Sequence, residues 1–373
     1  MNARGKNIGV VSCFGGPEGG ETFLSDLVKI LSSISDNTYV IATNTSQRDR
    51  DNICFYVVKY EIGENILAQA SNQVSLQLKM SYKLARLGRK VNLWVFFGGE
   101  GLLLPMLTAK LFRGKVALLL AGYLEKEGEF NRNVLYRPLT LFKRVNCTLS
   151  NKIIIYSERL IEQWHLEKYR NKILVADRHF LNFSTFKLEK PLGKRDKIVG
   201  YIGSLSEHKG IRNFLEAIPR VLERENNVRF LIAGDGGLRK EIEQYLSKAS
   251  LEDKVNLVGW VPHDKISGYL NELYLLVLPS YTEGVPNIIL EAMACGTPVL
   301  ATLVGAIPDF IKDGETGFII SNASPLYLAN DIERALNHPS LARIASNAKK
   351  LVEREFSYKA AVERYNRIIN DFS

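Results

Sequence analysis

Two hydrophobic rhythms alternate along the chain. Short apolar runs rich in β-branched residues are separated by stretches whose apolar positions recur every three or four residues. In the first half, Ile8–Cys13, Tyr39–Thr43, Ile53–Val58, Leu93–Phe97, Val116–Leu120, Lys152–Tyr156 and Ile173–Val175 read as strands. Glu21–Ser33, Gln69–Leu87, Leu102–Phe112 and Ser157–Lys168 read as helices between them. The rhythm restarts at Ile198–Ile202 and continues through Val228–Ala233, Val255–Val258, Tyr274–Leu278, Pro298–Ala301 and Phe318–Ile320. Strands alternating with helices predict the α/β class, here as two Rossmann-like, doubly wound parallel sheets. The charged segment KLEKPLGKRDK, residues 187–197, carries Pro191 and Gly193 and few apolar residues, so it reads as the interdomain linker. The expected boundaries are residues 1–190 for a first domain and 191–356 for a second, with 357–373 as a C-terminal helix.

Composition narrows the class. A chain of 373 residues is too long for one ordinary core. Its 46% hydrophobic and 24% charged content suits a soluble globular protein. No apolar run reaches the roughly 18 residues that would span a bilayer. The N-terminus runs almost directly into a strand-like segment, so no leader peptide is expected. Cys13, Cys54, Cys147 and Cys295 form no CxxC and no metal-ligand spacing, and read as thiols of a cytoplasmic protein. The net charge of +9 is unevenly placed: residues 1–190 hold 27 basic and 17 acidic residues, and the remainder holds 22 and 23. A basic half attracts nucleic acid, anionic lipid or phosphorylated ligands. It contains no recognised RNA- or DNA-binding motif, so no nucleic-acid partner is expected.

Ligands of open α/β sheets bind beyond the carboxyl ends of the strands, which directs attention to the loops there. After the first strand comes FGGPEGGET, in which Gly15 and Gly16 open a glycine cluster leading into a helix. Such a loop can bring backbone N–H groups to a phosphate, or can be a plain tight turn. It is not a dinucleotide fingerprint, because G-x-G-x-x-G is absent. In IVGYIGSLSEHKG, Lys209 sits between a strand and a helix, where it either meets a phosphate or is a solvated loop lysine. Gly234 heads the cluster Gly234-Asp235-Gly236-Gly237, again a turn or one wall of a pocket.

The sharpest question lies in EGVPNIILEAMACGTPVL. Glu283 follows a strand, next to Gly284 and Val285, and Pro286 suits the first position of a helix continuing through Asn287. Glu291 is the one charge in the run PNIILEAMAC. An unpartnered carboxylate costs several kcal/mol to bury, so Glu291 points to water or meets a polar partner. Its two oxygens match a pair of neighbouring hydroxyls such as those of a ribose.

The residues EGVPNIILEAMACGTPVLAT and VGAIPDFIKDGETGFII, with GSLSEHKG, the glycines around Asp235, VGWVP and the tail FSYKAAVERYNRII, resemble the retaining family 4 glycosyltransferases of GT-B fold. Glu283 and Glu291 match that family's E-x7-E motif. The resemblance is close over roughly residues 195–370 and covers the first half only in its general plan. It implies two domains facing across a cleft, with the C-terminal helix crossing back onto the first. It implies transfer of a sugar from a nucleotide-diphosphate sugar, UDP- or GDP-linked, to an acceptor hydroxyl with retention of configuration and without metal or other cofactor. By similarity, Glu283 holds donor-sugar hydroxyls, Glu291 the ribose, and Lys209 the diphosphate. Gly15, Gly16, Gly234, Gly284, Val285, Pro286 and Asn287 complete the donor site, with Val258 near the base.

Two departures stand out. The family usually carries arginine after the glycine at 203, where this chain has Ser204. The usual histidine after the strand near 116–121 is missing, and Gly122-Tyr123 occupies that region. The acceptor domain in the family is the first, which here holds the basic excess. Lys79, Lys83, Arg86, Arg89 and Lys90, then Leu102–Leu104, Leu107, Leu111 and Phe112 flanked by Lys110, Arg113 and Lys115, suit either an anionic membrane surface or ordinary sheet packing. The expected acceptor is a glycan or a lipid-linked glycan in envelope polysaccharide or glycoconjugate synthesis, at the inner face of the membrane. The competing readings are a non-catalytic nucleotide-sugar-binding relative, a GT-B epimerase, and a glycan phosphorylase, which would need a pyridoxal lysine.

Overall fold

A computed structural model describes residues 6–13, 20–61, 63–120, 136–176 and 179–372, with only the backbone of 20–22 and 136–139. The chain divides into two compact units, Met1–Arg178 with Ala361–Ser373, and His179–Ala360. In the first unit the strands are β1 (Asn7–Ser12), β2 (Asn37–Thr43), β3 (Ile53–Val58), β4 (Leu93–Phe97), β5 (Lys115–Leu119), β6 (Lys152–Ile155) and β7 (Ile173–Val175). They form one sheet in the order β3-β2-β1-β4-β5-β6-β7, with every pairing parallel. The second unit has β8 (Ile198–Ile202), β9 (Arg229–Ala233), β10 (Val255–Gly259), β11 (Leu275–Leu278), β12 (Val299–Ala301) and β13 (Phe318–Ile319). Their order is β10-β9-β8-β11-β12-β13, also parallel throughout.

Each sheet reverses direction of growth beside its first strand, between β1 and β4 in one unit and between β8 and β11 in the other. The two first strands share a device. Gly9 and Gly200 are each third in their strand, and a Cβ there would come within 2.3 Å of the Trp94 ring and 2.4 Å of the Leu273 side chain. The side chain that fills each gap is fully buried. Both faces of these strands are covered, which is why they read as continuous apolar runs rather than alternating ones.

Helices of the first unit include α1 (Gly20–Ser32), α2 (Ile66–Leu87), α3 (Leu103–Leu111), α4 (Tyr136–Leu149) and α5 (Leu160–Gln163). Asn65 caps α2 by accepting from Ala68 N at 2.9 Å. In the second unit they include α6 (Ile211–Leu222), α7 (Arg239–Lys248), α8 (His263–Glu272), α9 (Asn287–Ala294), α10 (Ile307–Phe310), α11 (Pro325–Leu336) and α12 (Leu341–Glu355). A last helix, α13, runs Tyr358–Asn370.

Three expectations are corrected. The helix expected at Ser157–Lys168 is the four-residue α5 followed by a 3-10 turn at Glu167–Lys172. His165 takes a left-handed conformation with φ 53, which ends the helix and lets Trp164 and Leu166 both be buried. The helical period of the sequence runs on past that break, whereas the backbone does not. Pro286 occupies the cap position rather than the first helical residue, since α9 begins at Asn287. The segment 187–197 is not a free linker. Arg195 is 7% exposed, and its guanidinium donates to the carbonyls of Lys190, Leu270, Leu273 and Cys295 and to Thr297 Oγ1. Asn271 meanwhile accepts from the amides of Glu189 and Lys190. The charged composition that suggested solvent instead supplies a polar clamp within the second unit.

Candidate functional site in the second unit

The loops after β8 and β11 meet where the strand order of the second unit reverses. The β8 loop forms a 3-10 turn, Glu207–Lys209, and ends at Gly210 with φ 68. A Cβ on Gly210 would lie 2.1 Å from the carbonyl oxygen of Pro279, so only glycine allows this approach. Tyr281 N donates to His208 O at 2.9 Å, which fixes the two loops together. A second close approach holds the other side: a Cβ on Gly305, φ 58, would come 2.1 Å from Glu283 O. Ala306 N donates to Gly284 O at 3.0 Å.

This framework brings Lys209 and Glu283 together. Lys209 Nζ donates to Glu283 Oε1 at 2.7 Å, with the carboxylate side chain 7% exposed and the lysine 24%. Partial burial makes the pair stronger than a surface ion pair, and the open edge of the ammonium leaves it able to meet a second anion. Tyr201, under the loop, donates to Ser204 O at 2.7 Å. Burial pushes its phenol pKa up, and the charge of Glu283 adds to this. Burial, then the charge of Lys209, holds the His208 imidazole below its ordinary 6.5, against the opposing pull of Glu283. His208 is therefore neutral at pH 7.

Glu291 is only 3% exposed, on a turn of α9 whose neighbours Ile289, Leu290, Ala292 and Met293 are also buried. Its polar partner is His263, the first residue of α8. Nε2 of that imidazole donates to Glu291 Oε1 at 2.8 Å. The His263 side chain is itself 62% exposed and lies against the buried ring of Phe186 at 5.3 Å between centroids. The lone acid of the apolar helix is thus buried and partnered.

Gly234 follows β9 with φ 139, and a Cβ there would meet Gly203 O at 1.8 Å. Its N–H donates to Gly259 O at 2.7 Å, so the ends of β8, β9 and β10 are drawn together. Val258 is half-buried on β10, where the register with β9 shifts between Leu257 and Gly259. Val285 and Pro286 are buried, Gly284 and Asn287 partly so. The start of α9 has no side-chain cap, which leaves its first N–H groups to other acceptors. Gly15, Gly16, Gly122 and Tyr123 lie outside the described residues.

Sequence reasoning missed three participants: His263, Tyr201 and Arg239. The Arg239 guanidinium covers Gly259, 2.8 Å from where a Cβ would stand. Of these, His263 left a trace in VGWVP, which it directly follows. Among the described residues, no cluster of three or more His, Cys, Asp or Glu could hold a metal ion.

The two parallel Rossmann-like units define the GT-B fold. The Anabaena protein HepE, solved in complex with UDP and glucose, superposes with a TM-score of 0.75 at 20% identity, covering 97% of this chain and 99% of that one. Residues 183–351, which lie within the second unit, match the family model of glycosyl transferases group 1. Among curated relatives, alpha-D-kanosaminyltransferase of Streptomyces kanamyceticus is 33% identical over 254 residues, 62% of this chain and 66% of the relative. The capsular polysaccharide biosynthesis glycosyltransferase CapM of Staphylococcus aureus is 30% identical over 254 residues, 64% of this chain and 66% of the relative. The matched segments span just under two-thirds of both relatives.

Proposed function

We propose that this chain is a retaining, family 4 type glycosyltransferase that moves a sugar from a nucleotide-diphosphate sugar to a hydroxyl of a glycan or lipid-linked acceptor. The observation that carries this reading is the Lys209–Glu283 contact at 2.7 Å, held at the reversal of the strand order in a group 1 glycosyl transferase domain. The bond from the anomeric carbon to the diphosphate breaks and charge develops on phosphate oxygen. Lys209 and the free amides at the start of α9 stabilise that charge as it forms. Glu283, released from part of its contact with Lys209, accepts from sugar hydroxyls. The acceptor oxygen bonds to the same face of the anomeric carbon, and its proton passes to the departing diphosphate. No metal is needed in this scheme, because an ammonium and amide dipoles supply the countercharge.

UDP is the favoured donor nucleotide, since HepE was solved with it. The acceptor belongs to envelope polysaccharide or glycoconjugate synthesis, by analogy with CapM, and the setting is the cytoplasmic face of the membrane. No described helix is long and apolar enough to cross a bilayer. An anionic membrane surface is the partner proposed for the first unit. Residues 65–124 contain eight basic residues and one acid, Glu100, which is buried. Leu67, Val74, Leu78 and Tyr82 form an exposed stripe along α2, and Leu104, Leu107 and Leu111 a second along α3. Gln77 Oε1 accepts from Leu104 N at 2.9 Å and joins the two helices. Leu102, by contrast, is fully buried and belongs to the core.

Incubation with a panel of radiolabelled nucleotide sugars tests the reaction. Transfer or slow donor hydrolysis is expected with one of them, and binding without any turnover would favour the non-catalytic reading that Ser204 keeps in play. Co-sedimentation with anionic against neutral vesicles tests the membrane surface, and equal binding to both would end that part.

A further inference from the structure

A carboxylate in an apolar helix needs more than one neighbour to be useful. Glu291 has four buried apolar residues beside it on α9 and one hydrogen-bond donor, His263 Nε2 at 2.8 Å. That donor holds Oε1. Oε2 has no hydrogen-bond partner among the described residues. The carboxylate plane is therefore fixed through one oxygen while the other keeps its accepting capacity. His263 is suited to hold it. As the first residue of α8, it follows Pro262, whose backbone is set at φ −57, ψ 142. The Phe186 ring, 3% exposed, packs on the imidazole. The proton on Nε2 points at a carboxylate that cannot turn away without stranding a charge in an apolar helix.

We infer that His263 is a positioning residue that sets ribose recognition: it orients Glu291 so that the free oxygen accepts from the 2′- or 3′-hydroxyl of the nucleoside. The inference rests on the donor-binding reading of Glu291 and adds a residue to it. His263 touches the acid, not the substrate. Without its hydrogen bond, Oε1 loses its donor and turns to compete for the ribose hydroxyl or to recruit water, and the fixed geometry is lost. A site built around a hydroxyl rejects the analogue lacking it because its buried acceptor is left unpaired. Selectivity for ribose over deoxyribose then depends on both residues. Since the His263 side chain is mostly exposed, its replacement leaves no cavity, and the cost to the fold is confined to the buried Glu291 carboxylate that loses its donor, so ribose preference is read on variants that remain folded.

The test is calorimetric affinity for UDP and for 2′- and 3′-deoxy-UDP, in the wild type and in Glu291→Gln, His263→Ala and His263→Gln. The wild type is expected to prefer UDP over one of the deoxy analogues by about tenfold or more, the scale of a charge-assisted hydrogen bond. His263→Ala is expected to cut that preference to under threefold in protein that still melts cooperatively, at a lowered melting temperature because the buried carboxylate has lost its donor. His263→Gln, whose amide can donate from a similar place, should restore most of it. If the wild type discriminates and His263→Ala discriminates equally, the inference is overturned while the role of Glu291 stands. If the wild type shows no preference, or Glu291→Gln keeps it in full, the ribose role of Glu291 fails and the inference fails with it. Loss of preference in His263→Ala without recovery in His263→Gln also counts against it, since packing rather than the donated hydrogen bond would then be responsible.

Discussion

The two units share a strand plan and diverge in what they do with it. Both sheets reverse beside a first strand that carries glycine in third place, and both bury a carboxylate near the reversal: Glu100 after β4, Glu291 after β11. In the second unit the loops at the reversal are locked, by Gly210 against Pro279, Gly305 against Glu283, and Lys209 to Glu283. In the first unit the described chemistry lies elsewhere, in exposed leucines and cations along α2 and α3. A common topology therefore sets where loops converge, while the side chains of those loops decide what chemistry gathers there.

The largest expected effect probes the polar clamp around Arg195 in the second unit. Arg195→Ala would leave four carbonyls and Thr297 Oγ1 without their buried donor, at a cost of roughly 3–5 kcal/mol. Calorimetric melting should show a large loss, and a shift of a degree or less would make the segment the linker its composition suggested. Next, Glu283→Gln should lower turnover about a hundredfold while UDP affinity changes little, as for a charged hydrogen bond made to the sugar. Equal losses in both would count against the proposed contact of Glu283 with the sugar.

The shared glycines offer a comparison within one protein. Gly9→Ala pushes into the Trp94 ring, whereas Gly200→Ala pushes into a flexible leucine side chain. Overpacking of about 1–3 kcal/mol is expected, at the upper end for Gly9 and the lower for Gly200, by urea denaturation. The reverse order would mean that the first sheet yields more readily than the second. The smallest effect is a pH response. The folded His208 pKa lies below 6.5, so the unfolded chain takes up its proton first as the pH falls. This contribution is complete above pH 6.5 and is lost as the pH falls through the lowered folded value. His208→Gln should flatten that part of a melting-temperature profile, and an unchanged slope would assign it to other groups.

Much of the scaffold was legible because buried parallel strands must be apolar on both faces. Ile53–Val58, Leu93–Phe97 and Ile198–Ile202 coincide with observed strands. The failures arise where a long-range partner overrides local pattern. Nothing near Arg195 announces carbonyls 75 to 100 residues away, and nothing in PNIILEAMAC announces an imidazole 28 residues earlier. His165 ends a helix by a backbone conformation that its residue type tolerates but does not dictate. Glu283 and Lys209 were readable because each stands in a loop that follows a strand, although their direct contact was not.

The paired glycine approaches at Gly210 and Gly305 carry one last consequence. With main chain pressed against main chain on both flanks, neither loop can shift or lengthen without dislodging its neighbour. Divergence in this half must then proceed by exchanging side chains on an unchanged frame, at positions such as Ser204 and His208. Relatives that prefer different sugars should accordingly superpose closely here and differ in only a handful of atoms.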